Sequence, residues 1–87
     1  MDNESIISQA QKILMVLLKH GEMTLSDISF KGNFNRQTVT NNVRILLQNQ
    51  LVTEKREEGF PPRRLISLTE KGRKVAEKLE EIEKILR

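Results

Sequence analysis

The chain has 87 residues, no cysteine, one histidine and a formal net charge of +3, which suits a single small domain, residues 1–87, with one modest core and no separate effector-binding domain. Lack of cysteine excludes a disulfide framework, a thiolate metal site and a thiol redox switch. The charge is uneven: residues 31–64 carry seven Lys or Arg against three acids, a balance of +4, while residues 1–30 balance to −2 and residues 65–87 to +1.

In chain order, the first helix is expected from about Glu4 to His20, with Ile6, Ala10, Ile13, Leu14, Leu17 and Leu18 forming a broad apolar stripe. Met15 and Val16 lie outside that stripe, so the C-terminal half should be covered on two sides, by the subunit's own core or by a dimer partner. His20 reads as a C-terminal capping residue beside Gly21, which is expected to end the helix in a left-handed conformation. Asp2 and Glu4 precede this helix where a signal peptide would be basic, and the apolar run at residues 13–18 is too short for a bilayer. A cytoplasmic protein without membrane contact is the expectation.

Thr24, followed by Asp27, marks the start of a short second helix from about Leu25 to Phe30, with Met23 and Ile28 as a hydrophobic staple. Lys31-Gly32-Asn33 supplies a turn. Asn35 then caps a third helix, and Phe34 is expected to fold over Val39. Val39, Val43, Leu46 and Leu47 recur on one face, while Gln37, Thr38, Asn41, Arg44 and Gln48 fall mainly opposite. Amide, hydroxyl and guanidinium groups on an aliphatic-backed helix are suited to reading base edges, although a polar outer face is also what any surface helix needs. Two capped helices joined by a glycine-containing turn have the form of a helix-turn-helix.

Residues 51–56 and 64–68 have strand-like content, and the segment between them holds Pro61 and Pro62, which belong at a hairpin tip because they cannot donate to a ladder. Phe60 is expected to pack on these prolines. Lys55, Arg56, Arg63 and Arg64 make the hairpin basic; they are candidate phosphate ligands, or members of cross-strand ion pairs with Glu54, Glu57 and Glu58. Thr69 caps a final helix to about Arg87, where Val75, Leu79, Ile82 and Leu86 form a coiled-coil-like seam. With Ile7 and Met15 or Val16 of the first helix, this seam predicts a symmetric homodimer with residues 69–87 as its dimerisation helix; the alternative is that the last helix packs on the first within one subunit. The fold class is thus mainly α with a small β-hairpin.

The order of these elements resembles the winged helix-turn-helix transcription regulators of the MarR, PadR and HxlR type. Asn35-Arg36-Gln37-Thr38-Val39-Thr40-Asn41 resembles the start of their recognition helix, and Leu51-Val52 the beginning of their wing. Pro61-Pro62-Arg63 followed by Ser67-Leu68-Thr69-Glu70-Lys71-Gly72 is similar to the HxlR wing and its exit into the last helix. The resemblance covers roughly residues 10–80. Gln50 stands where these families often have glycine, so the third helix is expected to end through Asn49. The resemblance does not extend to the long flanking helices that form effector pockets in larger MarR relatives, and ligand sensing is not expected from it.

What the resemblance implies is a third helix in the major groove of double-stranded DNA, with Arg36, Gln37, Thr38, Asn41 and Arg44 as groove candidates and Thr40 near phosphate. Gln37, Asn41 and Arg44 are favoured for base readout. Lys55, Arg56, Arg63 and Arg64 would lie on the backbone or minor groove. Two other readings use the same residues: an architectural chromatin protein with little sequence preference, and a winged-helix module that binds an acidic protein. Catalysis is not expected, since His20 is the only imidazole and no acid/base pair or metal-ligand cluster is evident. No cofactor or metal is expected.

Overall fold

The computed structural model describes residues 6–87. Helix α1 (Gln9–His20) begins where Ser8 and Gln11 cap each other: the Ser8 hydroxyl accepts from the Gln11 N–H at 3.2 Å, and the Gln11 side chain accepts from the Ser8 N–H at 2.9 Å. The helix therefore starts later than expected, with Ile6 and Ile7 preceding it and Glu4 outside the described residues. Ile13, Leu14 and Leu17 are buried as the stripe predicts, whereas Ile6 is exposed. Gly21 accepts φ 87° and ψ −166° at the cap. This is an extended region open essentially to glycine, rather than the left-handed helical one.

A two-residue strand, β1 (Met23–Thr24), follows, then α2 (Leu25–Gly32). Thr24 serves both elements, pairing with Leu65 in the sheet and accepting from the Asp27 N–H at 3.1 Å as the α2 cap. The helix continues two residues beyond Phe30 and ends at Asn33, whose φ 58° and ψ 44° are left-handed. Gly32 is consequently helical. The Phe34 ring lies over it in the space a Cβ would take, so a larger residue here would displace that ring.

Helix α3 (Arg36–Gln48) is capped by Asn35, whose side chain accepts from the Thr38 N–H at 2.8 Å. Strands β2 (Val52–Glu57) and β3 (Arg63–Leu68) form the wing, and α4 (Glu70–Leu86) closes the chain. The sheet is antiparallel with order β1-β3-β2. It has three strands where the sequence indicated a hairpin, because a two-residue strand leaves no periodicity to detect.

Aliphatic side chains from every layer meet in the core, among them Ile13, Leu14, Ile28, Val39, Leu46, Ile66 and Ala76. Helix α4 packs on α1, and Gly72, Ala76 and Leu79 are its buried residues. This inward stripe changes the expected seam. Ile7 and Leu79 are each only 6% exposed within a single subunit, so they belong to its own core. Met15 and Val75 are partly buried against that core. Ile82 and Leu86 remain exposed, joined by Ile85, which is 80% exposed. Among the described residues, no helix is long and apolar enough to cross a membrane.

Candidate nucleic-acid interface

Helix α3 turns Val39, Val43 and Leu46 into the core, which fixes the rotation of the opposite face. Arg36, Gln37, Thr40, Asn41 and Arg44 are exposed there, and Thr38 is partly buried. The Gln37 Nε2 donates to Asn41 Oδ1 at 3.1 Å, linking two amides one turn apart. A donor on Asn41 and an acceptor on Gln37 are left outward, the combination an adenine edge requires. Ile45, 47% exposed, interrupts this polar face. Its position one turn after Asn41 offers an apolar contact of the kind a thymine methyl accepts, a role the sequence reading did not assign.

The turn before α3 is held firmly. The N–H groups of Asn33 and Phe34 both donate to the Ser29 carbonyl, and the Ser29 hydroxyl donates to the Phe34 carbonyl. Arg36 is also anchored, with Nη1 donating to Ser26 Oγ at 3.1 Å. Thr24, Ser26, Arg36, Pro62, Arg63 and Arg64 line one open cleft between the start of α2 and the wing. Arg36 is thereby associated with the wing arginines, while Gln37, Asn41 and Arg44 lie on the helix front. This convergence follows from strand lengths: β1 pairs only with Leu65 and Ile66, leaving the outer edge of β3 at Arg63 and Arg64 uncovered.

Within the wing, Arg56 stands opposite Arg64, and Glu57 opposite Arg63. Alternation puts Glu54, Arg56 and Arg64 on one sheet face and Lys55, Glu57 and Arg63 on the other. Arg64 grips Glu54 with both arms of its fork, Nε to Oε2 at 2.7 Å and Nη2 to Oε1 at 2.8 Å. Arg63 approaches Glu57 more loosely, at 3.8 Å. The hydrogen bond from Arg64 holds the Glu54 carboxyl below the usual carboxylate range, with the charge of Arg56 adding to the effect, and Glu54 in turn raises Arg64. Among the described residues, Arg36, Arg44, Lys55 and Arg56 make no ion pair. The hairpin thus combines both sequence-level alternatives, with two arginines in cross-strand pairs and Lys55 and Arg56 outside them. Phe60 does not pack on the prolines: it is fully exposed at the tip.

The chain matches the family model described as HxlR-like helix-turn-helix over residues 6–87. None of the curated proteins matches it. Among solved structures, a transcriptional regulator homologue from Pyrococcus horikoshii OT3 superposes with a TM-score of 0.75 at 20% identity, covering 88% of this chain and 78% of that one. A mutant of ZitR from Lactococcus lactis in its apo form gives a TM-score of 0.75 at 30% identity, with 92% and 61% covered. NMB1585, a MarR family regulator from Neisseria meningitidis, gives 0.74 at 29% identity, with 86% and 53% covered. The chain therefore spans a little over half the length of the Lactococcus and Neisseria proteins.

Proposed function

Because the chain belongs to the HxlR-like helix-turn-helix family, we propose that it is a DNA-binding transcriptional regulator that reads a specific double-stranded site with α3 in the major groove and the wing, residues 55–64, along the adjacent backbone or minor groove. Gln37, Asn41 and Arg44 read bases in this scheme. Thr38 and Thr40 contact base or phosphate, and Arg36 contacts phosphate from the cleft beneath the wing. The observation that carries the reading is the division of α3 itself: a buried aliphatic back fixes an exposed amide pair and guanidinium beside a basic hairpin.

We further propose a homodimer that uses the terminal elements. Its contacts are Met15, Val75, Ile82 and Leu86, with Ile85 added and Ile7 and Leu79 reassigned to the subunit core. Three large aliphatic side chains exposed within the last five residues of α4 support this, since such a cluster gains by leaving water. Two-fold symmetry would set two copies of α3 on half-sites separated by one or more DNA turns.

Selection of bound duplexes from a random pool tests the function directly. An enriched pseudo-palindrome is the expected result, and the distance between its halves reports the spacing of the two recognition helices. Binding without enrichment would favour the architectural alternative, and no binding to duplex DNA at low salt would remove α3 from any groove.

A further inference from the structure

Arg64 is the most completely engaged cation of the wing. Its Nε and Nη2 both meet Glu54, at 2.7 and 2.8 Å, a geometry in which two parallel charge-assisted bonds fix the plane of the guanidinium. The register adds a second constraint. Arg56 lies directly across from Arg64, and like charges facing each other across a ladder repel unless a third charge intervenes. Glu54, on the same face and diagonal to Arg64, is that charge, and its attraction to Arg56 is one of the influences that keep it ionised.

We propose that Glu54 is a positioning residue that sets how many phosphates the wing neutralises, by holding Arg64 in a closed pair and leaving Lys55 and Arg56 as the wing's effective cations. The inference rests on the DNA-binding reading above and refines it. Counterion release depends on phosphates neutralised. A guanidinium already neutralised by a carboxylate adds nothing to that number while the pair persists. To engage a phosphate, Arg64 would have to leave Glu54, which would then face the DNA as an uncompensated anion close to the same backbone. Among the described residues neither Arg56 nor Lys55 is in an ion pair, so neither has a bonded carboxylate to leave.

The test compares the salt dependence of affinity for a random-sequence duplex in four proteins: the wild type, Glu54→Gln, Arg64→Ala and the double variant. Glutamine keeps the shape and one acceptor of Glu54 but removes its charge. Glu54→Gln is expected to steepen the slope of log affinity against log salt by about 0.9, the increment for one additional phosphate on duplex DNA. That increment amounts to roughly a threefold larger loss of affinity between 50 and 200 mM salt. In the Glu54→Gln background Arg64→Ala should return the slope to the wild-type value, whereas Arg64→Ala alone leaves Glu54 free to neutralise Arg56 and should flatten the slope. A merely structural pair would move the thermal midpoint without this crossed pattern of slopes. If Glu54→Gln leaves the slope unaltered, or the double variant keeps the steeper slope of Glu54→Gln, the proposal is overturned while DNA binding stands. A wild type that does not bind duplex DNA overturns both.

Discussion

Asn41 and Gln37 act as one unit because the 3.1 Å bond between them fixes both amides in relation to the helix. A side chain that reads a base and one that holds a phosphate have different signatures on removal. Asn41→Ala is expected to weaken the selected site by about 1–3 kcal/mol, roughly 5- to 150-fold, with a much smaller loss on random duplexes. Titration of both duplexes by fluorescence anisotropy measures the ratio, and equal losses would exclude Asn41 from base reading. Gln37→Ala should behave alike, and the double variant should lose less than the sum of the two, since each single change already disrupts the shared pair. Arg36, bound to Ser26 and set in the wing cleft, should instead affect all sequences uniformly when replaced by alanine.

The end of α3 and the start of α4 form one joint, and its parts explain why the residues there are what they are. The Leu51 N–H donates to the Leu46 carbonyl at 2.9 Å and the Gln50 N–H to that of Leu47 at 3.0 Å, the double closure of a Schellman motif, with Gln50 at φ 61°. Gln50 accepts the left-handed conformation that glycine adopts without penalty. Gln50→Gly should therefore stabilise the domain by up to about 1 kcal/mol, after the greater chain entropy of glycine is offset, and raise its thermal midpoint by a few degrees. An unchanged or lower midpoint would contradict this.

Across the same joint, the Thr69 hydroxyl donates to the Gln50 carbonyl at 2.8 Å, its N–H to that of Leu51 at 3.1 Å, and Lys71 Nζ to that of Asn49 at 3.2 Å. Gly72 lies so close that a Cβ would meet the Leu51 carbonyl oxygen at 1.9 Å. Two backbones cannot yield as a flexible side chain can. Gly72→Ala should cost about 2 kcal/mol or more and lower the midpoint by roughly 10 °C in calorimetry. Wild-type stability in that variant would show that the joint can open without cost.

For the whole molecule, α4 divides into an inner half that completes the subunit and an outer half that ends in exposed Ile82, Ile85 and Leu86. The two halves should respond differently to the same substitution. Ile85→Glu is expected to give a folded monomer by light scattering with an unchanged helical signal, because it removes only exposed apolar surface. Leu79→Glu should unfold the domain, since it buries a charge in a core without a partner, at a cost of several kcal/mol. A dimer that survives Ile85→Glu combined with Ile82→Glu would show that the interface lies elsewhere.

The local features were legible because they need only neighbours in the chain. Thr24, Asn35 and Thr69 cap the helices expected of them, Val39, Val43 and Leu46 face inward, and Pro61 and Pro62 sit between the paired strands. Even there the Ser8–Gln11 capping box starts α1 later than the apolar stripe indicates, so that its first member, Ile6, precedes the helix. Contacts across the chain were not legible. Whether Leu79 faces a second chain or its own α1, whether Arg64 finds Glu54 or a phosphate, and whether Met23 and Thr24 become a strand all depend on which segments the core brings together. Periodicity defines a face but not its occupant, since an apolar stripe loses water equally well against either. Strand register decides the charge pairs, for a shift of one residue would move Glu54 to the other face from Arg64.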